Sequence, residues 1–371
     1  MKKELKTSTK VVHAGTSTSN QGTSINSNPI FTSAFHLKGN IENASHQYAR
    51  FHNPTWDALE NAIGDIEGGK VLIFPSGMAA IAATFMALVS SGDRILLQAD
   101  GYYATRAFTE NYLKKFGVEI HAVKTCDLPE QDFSKYKLTF IESPSNPLLD
   151  VIDIRQLAKH IHRAGGLLAI DNTTMTPLGQ NPLSLGADIS VCSDTKALNG
   201  HSDVLFGHIA TNDDDIFQEI ELWRKLSGSI PGPMETWLVH RGFSSLDMRL
   251  ERMVSNAEKI AQQLVDHPAI KSVRYPGLKT DPSFKIAQQQ MNMMGFIISF
   301  DLETQKSAEL FLSRLNLITE ATSFGGMHTM VERRARWGTD NVSEGLIRLS
   351  VGCENSNDLI SDIENALKDL K

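Results

Sequence analysis

An α/β protein is what this sequence predicts: a mostly parallel central sheet covered by helices, followed by a smaller C-terminal α/β domain. Three observations carry the prediction. Between Val71 and Ser193, short apolar runs alternate with amphipathic helical patterns, as in a parallel sheet buried on both faces. Five polar clusters stand where such runs end: Ser76-Gly77, Asp100-Gly101-Tyr102, Ser143-Pro144-Ser145-Asn146, Asp171 and Ser193-Asp194-Thr195-Lys196. After Gly207 strands mix with helices and few parallel crossovers remain, which marks a second, smaller unit. In open α/β sheets ligands sit beyond the carboxyl ends of the strands, so the five clusters point to one site. At 371 residues the chain exceeds one average domain. The expected division is an arm over 1–47, a large domain over 48–247 and a small domain over 248–371.

The arm is rich in Thr, Ser, Asn and Gly with little periodicity, which suits a segment lying on a surface, another subunit's included. Tyr48-Ala49-Arg50-Phe51-His52-Asn53-Pro54-Thr55 then leads into a helical pattern through Leu59, Ile63 and Ile66 that stops at Gly68-Gly69. Residues 71–74 read as a strand, and Pro75-Ser76-Gly77-Met78 as a tight turn opening a helix. A glycine there lets backbone approach an anion, and free N–H groups with the helix dipole favour a phosphate. Taken alone, such a turn is equally a plain cap; the hydroxyls of Ser193 and Thr195 could complete the same cup.

Strands are expected over 94–98, 118–123, 138–142, 167–170 and 189–193, with helices over 105–116 and 154–163. Beyond Gly207 a helix over 216–226 breaks at Ser227-Gly228-Ser229-Ile230-Pro231-Gly232-Pro233. One long amphipathic stretch from 234 to about 264 is long enough to bridge two domains. Strands near 273–277, 295–302 and 347–351, and helices near 307–315 and 359–370, complete the small domain.

Composition narrows the partners. Apolar content of 41% and charged content of 21% are ordinary for a globular protein, and a net charge of −7 argues against nucleic acid or an anionic membrane. Cys126, Cys192 and Cys353 are odd in number and widely spaced, so they form neither a disulfide framework nor a zinc pattern, which fits a reducing cytoplasm. The basic start is followed by Thr7-Ser8-Thr9-Lys10 where a signal peptide needs an apolar run. The apolar-rich segment 78–89 is too short to span a bilayer. No His-Glu-x-x-His occurs among twelve histidines, and His160 and His162 would face different ways on a helix, so no metal is expected.

Lys196 is the centre of the chemistry. It follows a strand-like run, is flanked by the hydroxyls of Ser193 and Thr195, and precedes the turn formers Asn199-Gly200-His201-Ser202-Asp203. A lysine is nucleophilic only when neutral, which requires burial or a cationic neighbour. By itself the segment suits a solvated loop lysine equally well. Asp171, ending an apolar run 25 residues earlier (196 − 171), changes the balance, because one strand–connection–strand unit brings both to the same sheet edge. A lysine imine with an acidic partner for a pyridinium nitrogen is what proteins contribute to pyridoxal phosphate chemistry.

Asp171-Asn172-Thr173 followed by Ser193-Asp194-Thr195-Lys196-Ala197-Leu198-Asn199-Gly200-His201-Ser202-Asp203 resembles the Cys/Met-metabolism family of pyridoxal phosphate (PLP) enzymes. That family holds cystathionine lyases and synthase, methionine γ-lyase and O-acylhomoserine sulfhydrylases. The resemblance spans about residues 8–370 and implies the fold type I of PLP-dependent transferases. It implies that Lys196 carries the cofactor and moves the α-proton, and that Asp171, Thr173, Ser76, Gly77, Met78, Ser193 and Thr195 hold the cofactor. Tyr102 would stack on its ring with an acid–base role. Asn146, within Glu142-Ser143-Pro144-Ser145-Asn146-Pro147, would bond its phenolic oxygen and touch substrate. Tyr48 and Arg50 would reach the phosphate of a neighbouring subunit, which implies a homo-oligomer, a tetramer of dimers that share sites. Arg348, in Arg348-Leu349-Ser350, would clamp the α-carboxylate of an amino-acid substrate, assisted by Ser323.

Some positions depart from the family pattern. Tyr103 and Ala104 stand where small residues are common, and methionine γ-lyases carry a cysteine at the position of Ala104. Thr322 stands where many γ-lyases and γ-synthases have Glu and some β-lyases an aromatic; Ser244-Ser245 replace Lys-Thr. The resemblance implies a carbon–sulfur lyase of trans-sulfuration, cystathionine γ-lyase first, with β-lyase, γ-synthase and sulfhydrylase as alternatives. The dense run Glu332-Arg333-Arg334-Ala335-Arg336-Trp337 reads first as a solvated or internally paired face, with substrate contact as the alternative.

Overall fold

The computed structural model describes residues 5–15 and 20–370, so 1–4 and 16–19 of the expected arm, with Lys371, lie outside the described residues. Seven strands form the larger sheet: β1 (Lys70–Phe74), β2 (Arg94–Gln98), β3 (Glu119–Val123), β4 (Leu138–Glu142), β5 (Leu167–Asp171), β6 (Ile189–Cys192) and β7 (Gly207–Thr211). Their order is β1-β7-β6-β5-β4-β2-β3. The pairs β2–β3, β2–β4, β4–β5 and β5–β6 are parallel, and β7 runs antiparallel to both neighbours. β1, β2 and β4 to β7 are nearly all buried, which explains apolar runs without alternation.

Five shorter strands make the second sheet: β8 (Ser272–Arg274), β9 (Ile297–Asp301), β10 (Thr319–Glu320), β11 (Met330–Arg333) and β12 (Leu346–Ser350), in the order β10-β11-β12-β9-β8. All its pairs are antiparallel except β10–β11. The expected α/β class, a mostly parallel sheet plus a smaller one, is what the chain adopts.

Several elements differ from expectation: no pattern announced β10, β11 or the helix Phe284–Gln290, and three more differ as follows. The helix expected over 105–116 is Tyr103–Asn111, followed after Tyr112 by a 3-10 turn, Leu113–Phe116, that closes on left-handed Gly117. The stretch from 234 to 264 is two helices, Pro233–Phe243 and Leu246–Val265, broken at Ser244-Ser245. There Gly242 O accepts from Ser245 N at 3.2 Å in a tightened turn, and also from the Ser245 hydroxyl at 3.0 Å and the Arg249 guanidinium at 2.9 Å, so side chains help satisfy the helix end. β7, which no pattern announced, fills the gap between β1 and β6. Within the arm, Thr7–His13 is helical.

Candidate active site

The site forms where β4, β5 and β6 end. Glu142, the last residue of β4, lies opposite Asp171, the last of β5, which in turn lies opposite Val191 of β6. Two residues past Val191 the backbone N–H of Ser193 donates to Thr173 Oγ1 at 2.8 Å, tying the 193–196 turn to the end of β5. From the far side comes the helix Gly77–Leu88, capped by Ser76, whose hydroxyl accepts from Ala79 N at 3.0 Å. Only glycine fits at 77, because a Cβ there would sit 2.5 Å from Ser193 Cβ.

Around one cavity of about 290 Å3 these elements gather Lys196, Asp171 and Thr173 with Ser76, Gly77 and Met78. Tyr102, Asn146, Ser193 and Thr195 line the same space. Arg348 and Ser323 line an adjoining pocket of about 390 Å3, whose wall shares Lys196, Tyr102 and Asn146 with the first. Tyr48 and Arg50 are not brought there in this chain. Arg50 donates to Lys225 O at 2.5 Å and packs over the Phe51 ring, 4.9 Å from its centroid, while Tyr48 is 43% exposed.

Lys196 Nζ donates to Ser323 Oγ at 2.7 Å and lies 5.0 Å from the centroid of the Phe324 ring. Burial, then the Arg348 cation, lower its pKa to about 8, against the pull of Glu332 and Asp171. A substantial neutral fraction near pH 8 is what an amine nucleophile needs. Asp171 Oδ1 accepts from Thr173 N at 3.0 Å and Thr173 Oγ1 at 2.6 Å. Burial still raises the Asp171 pKa against these bonds and Lys196, so a cation at its open side would be welcomed. Glu142, buried and beside Asp171, is pushed well above the usual carboxylate range.

Arg348 is fixed on several sides. Its NH1 donates to Asn146 Oδ1 at 3.1 Å and its NH2 to Ser323 O at 2.7 Å, while it also pairs with Glu332. Its Nε is buried without a partner. Burial lowers its pKa to about 10, yet it stays charged at neutral pH.

The residues fit pyridoxal phosphate. A helix start and the hydroxyl-bearing Ser76, Ser193 and Thr195 line one cavity together with Lys196 and Asp171, the groups a phosphate, an aldehyde and a pyridine nitrogen require.

Sequence reasoning missed two sets of residues. Glu332, Arg334 and Trp337, from the basic run read first as a solvated or paired face, are internally paired and also line the 390 Å3 pocket. Behind the lysine turn, the buried His208 ring bonds Asp194 Oδ1 through Nδ1 at 2.7 Å and Glu67 Oε1 through Nε2 at 3.1 Å. Cys192 lies near enough that Glu67, Cys192 and His208 present ligand atoms within 4.8 Å of one another. Both ring nitrogens face carboxylate oxygens, however, so the cluster is an imidazolium between two acids. Burial opposes that charge, and Asp194 overcomes it, holding His208 well above the usual histidine pKa.

Comparison with known proteins agrees with the geometry. Residues 8–368 match the family model for Cys/Met metabolism PLP-dependent enzymes. A Streptomyces coelicolor relative, provisionally named a cystathionine gamma-lyase, is 46% identical over 91% of this chain and 88% of its own length. A cystathionine beta-lyase of Lactococcus lactis is 38% identical over 97% of this chain and 98% of its own. Among solved structures, a cystathionine gamma synthase from Xanthomonas oryzae pv. oryzae, in complex with aminoacrylate and cysteine, superposes with a TM-score of 0.93. It is 31% identical and covers 98% of each chain. Among the described residues no helix is long and apolar enough to cross a membrane.

Proposed function

Because the chain belongs to the Cys/Met metabolism PLP-dependent enzymes, a trans-sulfuration family, we propose that it is a cystathionine γ-lyase acting in the cytoplasm. Cystathionine and water would give cysteine, 2-oxobutyrate and ammonia. The observation that carries this reading is Lys196 standing in the wall between a cavity that fits the cofactor and a pocket headed by Arg348.

When bound, pyridoxal phosphate withdraws electrons from the substrate α-carbon, so that protons on that carbon and its neighbour become removable. The chain supplies the rest. Lys196 would hold the cofactor until substrate arrives, and its freed Nζ would take the α-proton. Ser323 Oγ, which accepts from Nζ at 2.7 Å, keeps the amine at the junction of the two cavities. Asp171 would hold a proton on the ring nitrogen, an arrangement that favours its charged form. Ser76, Gly77, Met78, Ser193 and Thr195 would receive the phosphate, and Thr173 orients Asp171. Tyr102, whose pKa is raised by burial, stays a neutral phenol able to give a proton to a departing sulfur. Arg348 would bind the α-carboxylate with its fork of N–H donors, which fixes the α-carbon beside Lys196. Asn146, its Oδ1 occupied by Arg348, keeps its amide hydrogens for the cofactor or substrate.

Tyr48 and Arg50 would complete the phosphate site of a second copy, in a tetramer built from dimers. Their place outside this chain's own cavity supports that reading. The competing activity is β-elimination, because Thr322 at the pocket wall is neither the Glu of many γ-lyases nor the aromatic of some β-lyases. One assay separates them: cystathionine yielding cysteine and 2-oxobutyrate supports the γ-lyase, and homocysteine with pyruvate overturns it. No reaction unless an acylated homoserine is added would assign a transferase.

A further inference from the structure

Along the wall of the 390 Å3 pocket a chain of alternating charge leads from Arg348 to residues that the reaction outlined above does not use. Arg106, on the helix that follows Tyr102, donates from NH2 to Thr339 O at 2.9 Å and from Nε to Gly101 O at 3.2 Å. The same guanidinium stands 3.8 Å from Asp340 Oδ1. Asp340 Oδ2 accepts from Arg334 NH2 at 2.6 Å and Nε at 3.1 Å, and Arg334 NH1 donates to Glu332 Oε1 at 2.6 Å. That oxygen also accepts from Arg348 NH2, while Glu332 Oε2 accepts from Trp337 Nε1 at 2.9 Å. Glu332 and Arg348 are cross-strand partners in β11 and β12, and both are almost fully buried.

Two physical points single out Glu332. A buried guanidinium flanked by one carboxylate adopts the orientation that carboxylate dictates, and here the carboxylate is itself held by three donors. Arg348 also repels Lys196 and Arg334 at close range, so its charge in this pocket requires a compensating anion. The chain reaches back through Arg334 and Asp340 to Arg106 beside Tyr102. It therefore ties the substrate arginine on the smaller sheet to the edge of the larger one.

We propose that Glu332 is the positioning residue for carboxylate recognition by Arg348, held in register by Arg334 and Asp340, and thus decides the preference for α-amino acids over simple amines. The proposal rests on the reading of Arg348 as the substrate-carboxylate clamp. Glu332 also lines the pocket and favours the charged form of Lys196, but its effect on carboxylate recognition is exerted through Arg348. A Glu332→Gln side chain keeps the shape but loses the charge and turns one acceptor into a donor aimed at a guanidinium.

The test uses the holoenzyme and two ligands that differ only in the carboxylate, L-alanine and ethylamine, with binding followed by the visible absorbance of the cofactor. Wild-type protein binds alanine more tightly. Glu332→Gln should weaken alanine roughly tenfold to a hundredfold, as loss of one partner of a buried charge pair does, and leave ethylamine within about twofold of wild type. With cystathionine, KM should rise more than kcat falls. Equal weakening of both ligands would overturn the proposal in favour of a merely structural residue, as would unchanged alanine binding. A wild-type protein that does not prefer alanine would overturn the reading of Arg348 itself. Should Glu332→Gln fail to fold, Asp340→Asn, which loosens Arg334 one step away, should give a smaller loss of the same kind, again confined to alanine. Lys271→Gln, in an exposed pair with Glu303 outside the chain of charges, serves as the control and should match wild type.

Discussion

Gly77→Ala isolates the geometry of the cofactor site from its chemistry. Gly77 begins the helix Gly77–Leu88 and is not among the left-handed glycines, so alanine carries no backbone strain there. Helix propensity alone would favour alanine by up to about 1 kcal/mol. The new methyl group, however, would lie 2.5 Å from Ser193 Cβ, 2.7 Å from Ser193 Oγ and 3.0 Å from Ser193 Cα. Rotating the serine does not relieve this, because two of the three obstacles do not turn with χ1. Ordinary contact begins near 3.4 Å, so the helix start and the lysine turn must part by 3.4 − 2.5, about 0.9 Å. Ser193 N is meanwhile tethered to Thr173. A misplacement of about 1 Å between elements that share one ligand costs on the order of a hundredfold. Titrating cofactor-free protein with pyridoxal phosphate, read by visible absorbance, should show affinity weakened by about that factor. The cofactor-free protein should also melt somewhat lower, since overpacking of this kind costs roughly 1–3 kcal/mol, only partly offset by helix propensity. Unchanged cofactor affinity would refute the claim that the helix start and the lysine turn grip one group.

Other outcomes follow from the same geometry. His208→Gln removes the cation between Glu67 and Asp194 and should destabilise the fold by about 3–5 kcal/mol. Since the folded pKa of His208 lies well above 6.5, this stabilisation is complete below about pH 6.5 and is lost as pH rises through the raised value. The gap in melting temperature between wild type and variant should therefore narrow on the alkaline side; a gap that widens there contradicts the imidazolium assignment. Arg50→Ala and Lys196→Ala proteins should each be inactive, and co-expression should restore activity by forming sites with one intact residue from each subunit. Co-expressed protein as inactive as its parents would rule out a site shared in this way.

What could be read from the sequence followed from local chemistry. Lys196 between hydroxyls and the Ser76-Gly77 helix start are each ambiguous alone; Asp171 at the end of an apolar run, and the family resemblance of 171–173 and 193–203, are what gave them meaning. The sheet places these strand ends together, so combined those short signals sufficed to find the cavity. The helix Ile154–Arg163 was equally plain, bounded by the Asp153 cap and an apolar stripe. What stayed hidden depends on partners distant in the chain. His208 carries no local signal until β7 sets it opposite Cys192 and within reach of Glu67, 141 residues away. The internal pairing of Glu332 and Arg334 was among the readings of their run, but their place in the pocket wall beside Arg348 was not legible, because their register against β12 is a tertiary fact. The break at Ser244-Ser245 escaped notice because the amphipathic period continues across it while side chains take over the backbone bonding.

The central claim is that one amine in this chain, on Lys196, carries the cofactor. Reducing the cofactor-loaded protein with borohydride, digesting it and locating the pyridoxyl group by mass spectrometry tests it most directly. A single modified peptide bearing the group on Lys196, and none in Lys196→Ala, is the predicted result. The group on another lysine, or a reduced protein without it, would contradict the account.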